Sequence, residues 1–103
     1  MPSEKHSAFV IGQITIKDAA KWAAYRDAVP ATLLPWDARL LVRGKRFAVL
    51  SAVQSGAHAH TDTVVIRFPD PASIERWHAS PAYQALIPLR REAADVVLVG
   101  YEE

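Results

Sequence analysis

Three arginines are the residues of this sequence best suited to hold an anionic ligand. Arg39 and Arg43 lie four positions apart on a predicted strand, and Arg90 lies on a predicted bent helix. A guanidinium can donate two parallel hydrogen bonds to a carboxylate, so each is a candidate substrate-binding residue. Side chains four positions apart on a regular strand share a face, which predicts that Arg39 and Arg43 point the same way. The alternative is an ordinary surface ion pair with Asp37, Glu75 or Glu92.

Aromatic residues and one histidine are the candidates for proton chemistry and for the wall of a pocket. His78 follows Trp77 near a predicted helix end, where its imidazole could act as an acid or base near neutral pH. We predict His78 and Tyr83 as the catalytic candidates, and Trp77 and Tyr25 as further substrate-binding residues. The alternatives stay open, because a helix-end histidine is more often partly exposed and aromatic residues on a helical stripe more often belong to the core.

His58 and His60 form an H-x-H pair, which on an extended segment would point both imidazole rings to one side. Such a pair could begin a metal site, but the sequence shows no third ligand, and haem ligation lacks support for the same reason. The composition around Gly56 indicates a solvent-exposed loop instead. We therefore predict no metal and no cofactor, and the chain also lacks GxGxxG, phosphate-loop and GxSxG motifs.

Length, composition and charge restrict the class of protein. The chain has 103 residues, half of them hydrophobic, and a formal net charge of +1, which is typical of one globular domain. Residues 1–7 are predicted to be a disordered polar tail and residues 8–103 the single domain. Scattered basic residues argue against nucleic acid as a partner, and no apolar run is long enough to span a membrane. The absence of cysteine suits a reducing compartment, so we expect a cytoplasmic protein.

The hydrophobic pattern predicts alternating strands and helices. A strand over residues 9–16 precedes a helix that Asp18 caps and that Pro30 should kink or restart. A strand over 39–43, a turn at Gly44 and Lys45, and a return strand over 47–53 are predicted next. The remaining elements are a loop over 54–61, a strand over 62–68, helices that begin at Pro71 and Pro81, the second bent by Pro88, and a strand over 95–101.

This order of elements predicts an α+β fold, a ferredoxin-like sandwich with an antiparallel sheet and one extra strand from the hairpin. Helices would cover one sheet face, yet the first and last predicted strands are apolar on both faces. An open apolar face of that size is unusual in a monomer. We therefore predict a homodimer that forms through this open sheet face, assembling as a dimeric α+β barrel.

Several segments resemble an uncharacterised bacterial family, labelled domain of unknown function thirteen-thirty. They are Phe68-Pro69-Asp70, residues 74–90 (IERWHASPAYQALIPLR), residues 18–25, Val29-Pro30 and residues 39–44 (RLLVRG). Together they cover nearly all of the chain beyond the tail. The sequence departs from the family pattern at Trp36, where a tyrosine is common, at Asp37-Ala38, where a glycine pair is common, and at His78, where a tyrosine often follows the tryptophan.

The resemblance implies a dimeric α+β barrel, from a superfamily that includes antibiotic-biosynthesis monooxygenases, muconolactone isomerases and stress-induced barrel proteins. It implies no known activity. By this analogy the chain is expected to be a cofactor-independent enzyme that acts on a small organic acid or aromatic metabolite. The alternatives are a noncatalytic homodimer that binds a small carboxylate or aromatic ligand, and a purely structural dimer with a filled interior.

Overall fold

The computed structural model describes residues 7–52 and 59–103, and these form the predicted α+β sandwich. The four strands are ordered β2-β3-β1-β4, and every neighbouring pair is antiparallel. This is the ferredoxin-like arrangement that the sequence predicts. The elements are β1 (Ala8–Ile16), α1 (Ala19–Leu33), a 3₁₀ turn (Leu34–Trp36), β2 (Arg39–Lys45), β3 (Asp62–Phe68), α2 (Pro71–Ala79), α3 (Pro81–Gln84), α4 (Ile87–Ala93) and β4 (Ala94–Glu102).

Helix α1 begins where the sequence predicts, because the Asp18 carboxylate accepts a hydrogen bond from the backbone N–H of Lys21. The helix continues through Pro30 without restarting, so the prediction of a restart is wrong. Leu33, beyond the proline, is buried in the core, and this burial offsets part of the cost of the backbone hydrogen bond that a proline removes. After the 3₁₀ turn, Asp37 adopts a left-handed conformation with φ of 55°, which glycine adopts more readily than aspartate.

The predicted hairpin is wrong. Gly44 and Lys45 belong to β2 rather than to a turn, and residues 46–52 lie outside any strand, with Phe47 and Leu50 90% and 84% exposed. The N–H of Arg46 still donates to the carbonyl of Thr61 (2.7 Å), which continues the pairing of β2 with β3.

Two capping motifs begin the helices of the second half, as the sequence predicts. Asp70 and Ser80 each accept a hydrogen bond from a backbone N–H, and a proline follows each cap at the first helical position. The helix after Ser80 is divided into α3 and α4. Pro88 explains the division, because it cannot donate the backbone hydrogen bond that would join the two segments.

The sheet has one covered face and one open face. Val10, Ile14, Ile66 and Phe68 point toward the helices and are buried. The opposite face carries side chains that remain partly or largely exposed, namely Phe9, Ile11, Val42, Val65, Val97, Val99 and Tyr101. Phe9 and Tyr101 stack there with ring centroids 5.5 Å apart. Within the described ranges, no helix is long and apolar enough to cross a lipid bilayer.

Candidate active site or ligand site

A cavity of about 360 Å³ lies between α1 and the covered face of the sheet. Helix α1 forms one wall, and the side chains of β2, β3, β1 and β4 form the opposite wall. Most of the lining is apolar, as in sites that bind small organic molecules. The apolar and aromatic lining residues are Ile14, Trp22, Tyr25, Val29, Pro30, Leu33, Leu34, Ala38, Leu40, Val64, Ile66, Trp77, Val96 and Leu98.

Charged residues from β2 and β3 line one part of this cavity. Arg43 is paired with Val64 and Lys45 with Asp62 across the two strands, so both cations lie on the covered face. The side chains of Arg43 and Lys45 are exposed, and neither makes a hydrogen bond or ion pair with any other residue in the two described ranges. Two cations and one carboxylate thus give this part of the cavity a positive charge.

A β-bulge separates the two arginines of β2. Arg39 is paired with Arg67 and Leu40 with Ile66, but the register shifts before Val42. The extra residue turns Arg43 toward the cavity, whereas Arg39 shares the open face with Arg67. The prediction that Arg39 and Arg43 share a face is therefore wrong, because it assumed a regular strand.

Tyr25, Tyr83 and Arg90 are brought together in a hydrogen-bonded chain. The hydroxyl oxygens of Tyr25 and Tyr83 are 2.8 Å apart, and Arg90 Nη1 donates to the Tyr83 oxygen at 2.8 Å. Tyr25 lines the cavity, while Tyr83 and Arg90 lie behind it. Burial raises the pKa of the Tyr25 hydroxyl well above its usual value, with a further contribution from Tyr83. Tyr25 is consequently a neutral hydrogen-bonding group at physiological pH.

Trp77 lies at the centre of the core, with only 2% of its surface exposed. Its indole N–H donates to Thr32 Oγ1 at 3.0 Å, and this hydroxyl donates to the carbonyl of Val29 at 2.6 Å. Its ring centroid is 4.3 Å from that of Tyr83. Trp77 therefore forms part of the cavity wall with its polar group already paired, which suits it to shape the cavity rather than to donate to a ligand.

His78 is placed away from the α1 cavity. It is exposed near the end of α2, and it lines a second cavity, of about 370 Å³, between α2 and the covered sides of β1 and β4. Its imidazole ring packs 5.5 Å from the ring of Tyr83, measured between centroids. The predicted residues thus divide into Arg43, Tyr25 and Trp77 at the α1 cavity, Tyr83 and Arg90 behind it, His78 at the second cavity and Arg39 on the open face.

Of the H-x-H pair, His58 lies outside the described residues. His60 is described, and its Nδ1 lies 3.0 Å from the hydroxyl of Thr15. In the part of the chain that the structure describes, no three histidine or carboxylate side chains converge as metal ligands.

Lys45 and Asp62 also line the cavity, although neither is among the predicted site residues. The alternation of side chains along a strand could have identified Lys45, because it lies two positions after Arg43 and must share its face. Because a turn was predicted at Gly44 and Lys45, Lys45 was not expected to lie on the same strand as Arg43. Trp22 and Leu98, also cavity residues, could be recognised only as members of apolar stripes, since periodicity does not distinguish a cavity wall from a packed core.

The comparisons with known proteins agree on the fold. The family described as Domain of unknown function (DUF1330) matches residues 7–102. A protein of unknown function from Rhodopseudomonas palustris superposes with a TM-score of 0.79 at 14% identity, over 97% of this chain and 84% of that one. A dimeric ferredoxin-like protein of unknown function from Thermobifida fusca gives 0.64 at 12%, over 100% and 96%.

A third similar structure has a described activity. SnoaB, a cofactor-independent oxygenase from Streptomyces nogalater, superposes with a TM-score of 0.65 at 8% identity, over 93% of this chain and 91% of that one. No curated protein matches the sequence. At these identities the structural similarity establishes the ferredoxin-like fold, and function has to be argued from the site.

Proposed function

This chain belongs to the family Domain of unknown function (DUF1330), and we propose that it binds a small organic acid with an apolar or aromatic body in the α1 cavity. The observation that carries the proposal is an apolar cavity of about 360 Å³ whose lining includes two cations, Arg43 and Lys45, with no side-chain partner among residues 7–52 and 59–103. An apolar body would replace water against the aromatic and aliphatic wall. The carboxylate would accept hydrogen bonds from the guanidinium of Arg43.

The binding proposal is tested with benzoate, cinnamate and the corresponding amides, using ligand-observed nuclear magnetic resonance. We expect the acids to bind more tightly than the amides, because only the acids carry the charge that Arg43 and Lys45 complement. Replacement of Arg43 by Ala should weaken binding of the acids about tenfold, which corresponds to the loss of one partly exposed charged hydrogen bond. Binding of the amides should change little.

Two variants serve as controls for this experiment. Arg76→Ala removes an exposed arginine from α2, away from the cavity, and should leave all affinities unchanged. Ala38→Trp introduces a large side chain into the cavity wall and should abolish binding of acids and amides alike. Equal affinities of acids and amides for the unmodified protein would contradict the assigned role of Arg43, and binding that survives Ala38→Trp would place the ligand elsewhere.

A cofactor-independent enzyme is the second candidate function. Tyr25 supports it, because a neutral phenol in the wall of an apolar cavity can stabilise negative charge that develops on a substrate oxygen. The fold shared with SnoaB is compatible with such chemistry. The test is to incubate each bound acid with the protein in air, then measure oxygen consumption and product mass. Acids recovered unchanged, with no oxygen consumed, would leave binding as the function.

We also propose that the protein forms a homodimer through the open sheet face. Its support is the set of exposed apolar side chains on that face, among them Val97 (48% exposed), Val99 (41%) and Tyr101 (47%). Light scattering coupled to size exclusion should give a dimer mass, and Val99→Lys should give a monomer because it would bury a charge at the interface. Ala72→Lys, on the exposed side of α2, is the matched control. A monomer before any substitution would exclude the proposal.

A further inference from the structure

The hydrogen-bonded chain of Arg90, Tyr83 and Tyr25 has a direction that follows from counting hydrogens. Arg90 can only donate, so the Tyr83 oxygen is the acceptor of that bond at 2.8 Å. The two phenols then have one hydrogen each and one bond between them, at 2.8 Å. One of the two hydrogens is therefore left without an acceptor inside the chain.

Burial decides which hydrogen is left over. Tyr83 has no exposed surface, and within the described ranges its hydroxyl makes hydrogen bonds only with Arg90 and Tyr25. If Tyr25 donated to Tyr83, the hydrogen of Tyr83 would be buried without an acceptor, at a cost of about 1–3 kcal/mol. If Tyr83 donates to Tyr25, the remaining hydrogen belongs to a residue that lines the cavity. The second arrangement is favoured, because a cavity can supply an acceptor.

We propose that Tyr25 donates a hydrogen bond from the cavity wall to a carbonyl or anionic oxygen of the bound acid. The inference rests on the proposed function and adds to it the class of ligand, an acid that carries a second, oxygen-bearing group. Arg43 would hold the carboxylate and Tyr25 the second oxygen, so that the two polar groups would orient the apolar body between them.

Arg90 and Tyr83 would act as positioning residues for this donor. The positive charge of Arg90 polarises the Tyr83 hydroxyl, and a polarised hydroxyl is a stronger donor to the next oxygen in the chain. Burial keeps Tyr25 protonated at neutral pH, so the donor is present whenever the cavity is occupied. Neither Tyr83 nor Arg90 needs to contact the ligand.

The test compares two acids of the same shape, 4-acetylbenzoate and 4-isopropenylbenzoate, which differ in having a carbonyl oxygen or a methylene group. We expect 4-acetylbenzoate to bind about fivefold more tightly, the effect of one neutral hydrogen bond. Its carbonyl stretching band should shift to lower frequency on binding. Tyr25→Phe should remove both the preference and the shift, whereas Arg76→Ala, at an exposed arginine of α2 outside the cavity lining, should keep both.

The outcomes separate this inference from the proposed function. Equal binding of both acids with an unshifted carbonyl band would overturn the donor role of Tyr25 and leave the acid site standing. Binding of neither acid would overturn the acid site and the inference with it. Should Tyr25→Phe fail to fold, equal affinities and an unshifted band in the unmodified protein would still overturn the inference.

Discussion

The paired hydroxyls of Tyr25 and Tyr83 should make two conservative substitutions strongly interdependent. Tyr25→Phe and Tyr83→Phe each remove one oxygen from a site where the two residues are only 6% and 0% exposed. Either change breaks the same 2.8 Å hydrogen bond and leaves one hydroxyl without this partner. Tyr83→Phe also removes the acceptor of Arg90, but that guanidinium is only partly buried and can bind water instead.

The expected magnitudes follow from what each variant leaves behind. A neutral hydrogen bond contributes about 1 kcal/mol and a stranded buried partner costs about 1–3 kcal/mol, so each single substitution should destabilise the fold by about 2 kcal/mol. The double substitution removes both partners and strands neither phenol. Its cost should not exceed that of the costlier single variant, which gives a coupling of about 1–2 kcal/mol between the two positions.

Urea unfolding followed by circular dichroism, at one fixed protein concentration, measures these free energies. Arg76→Ala provides the control, because this arginine of α2 is exposed and has no hydrogen bond or ion pair within the described ranges; it should change stability by less than about 0.5 kcal/mol. Additive effects of Tyr25→Phe and Tyr83→Phe would refute the reasoning, since additivity means that neither hydroxyl depends on the other.

Three further outcomes are expected. Gly12→Ala should lower the free energy of urea unfolding by about 1–3 kcal/mol, because the added Cβ would lie 2.8 Å from Val64 Cγ1. Gly44→Ala should be tolerated, because the nearest atom to its Cβ would be 3.6 Å away. Asp37→Gly should stabilise by up to about 1 kcal/mol by relieving a φ of 55°, and unchanged thermal stability would contradict this. Burial raises the pKa of Tyr25 in the folded protein, so the unfolded chain loses this proton first as the pH rises. The free energy of unfolding should therefore fall by about 1.4 kcal/mol per pH unit above pH 10. Tyr25→Phe should lack this loss.

Local signals in the sequence predict much of this fold. Asp18, Asp70 and Ser80 each begin a helix, because a capping side chain satisfies a backbone N–H that the helix itself leaves unpaired. Alternating apolar residues predict the strands over 9–16, 62–68 and 95–101, which the structure confirms as β1, β3 and β4 within a residue or two. The element order then leaves few arrangements other than the ferredoxin-like sandwich.

Pairing and packing between distant segments decided the rest. The segment after Lys45 is apolar enough to form a strand, but residues 47–52 join no strand of the described sheet. The bulge that separates Arg39 from Arg43 arises in the pairing of β2 with β3, so residue spacing in one strand could not reveal it. The contact of Tyr25 with Tyr83 joins positions 58 residues apart. Residue types identified the groups able to bind an acid, whereas only the tertiary structure determined which of them meet at one cavity.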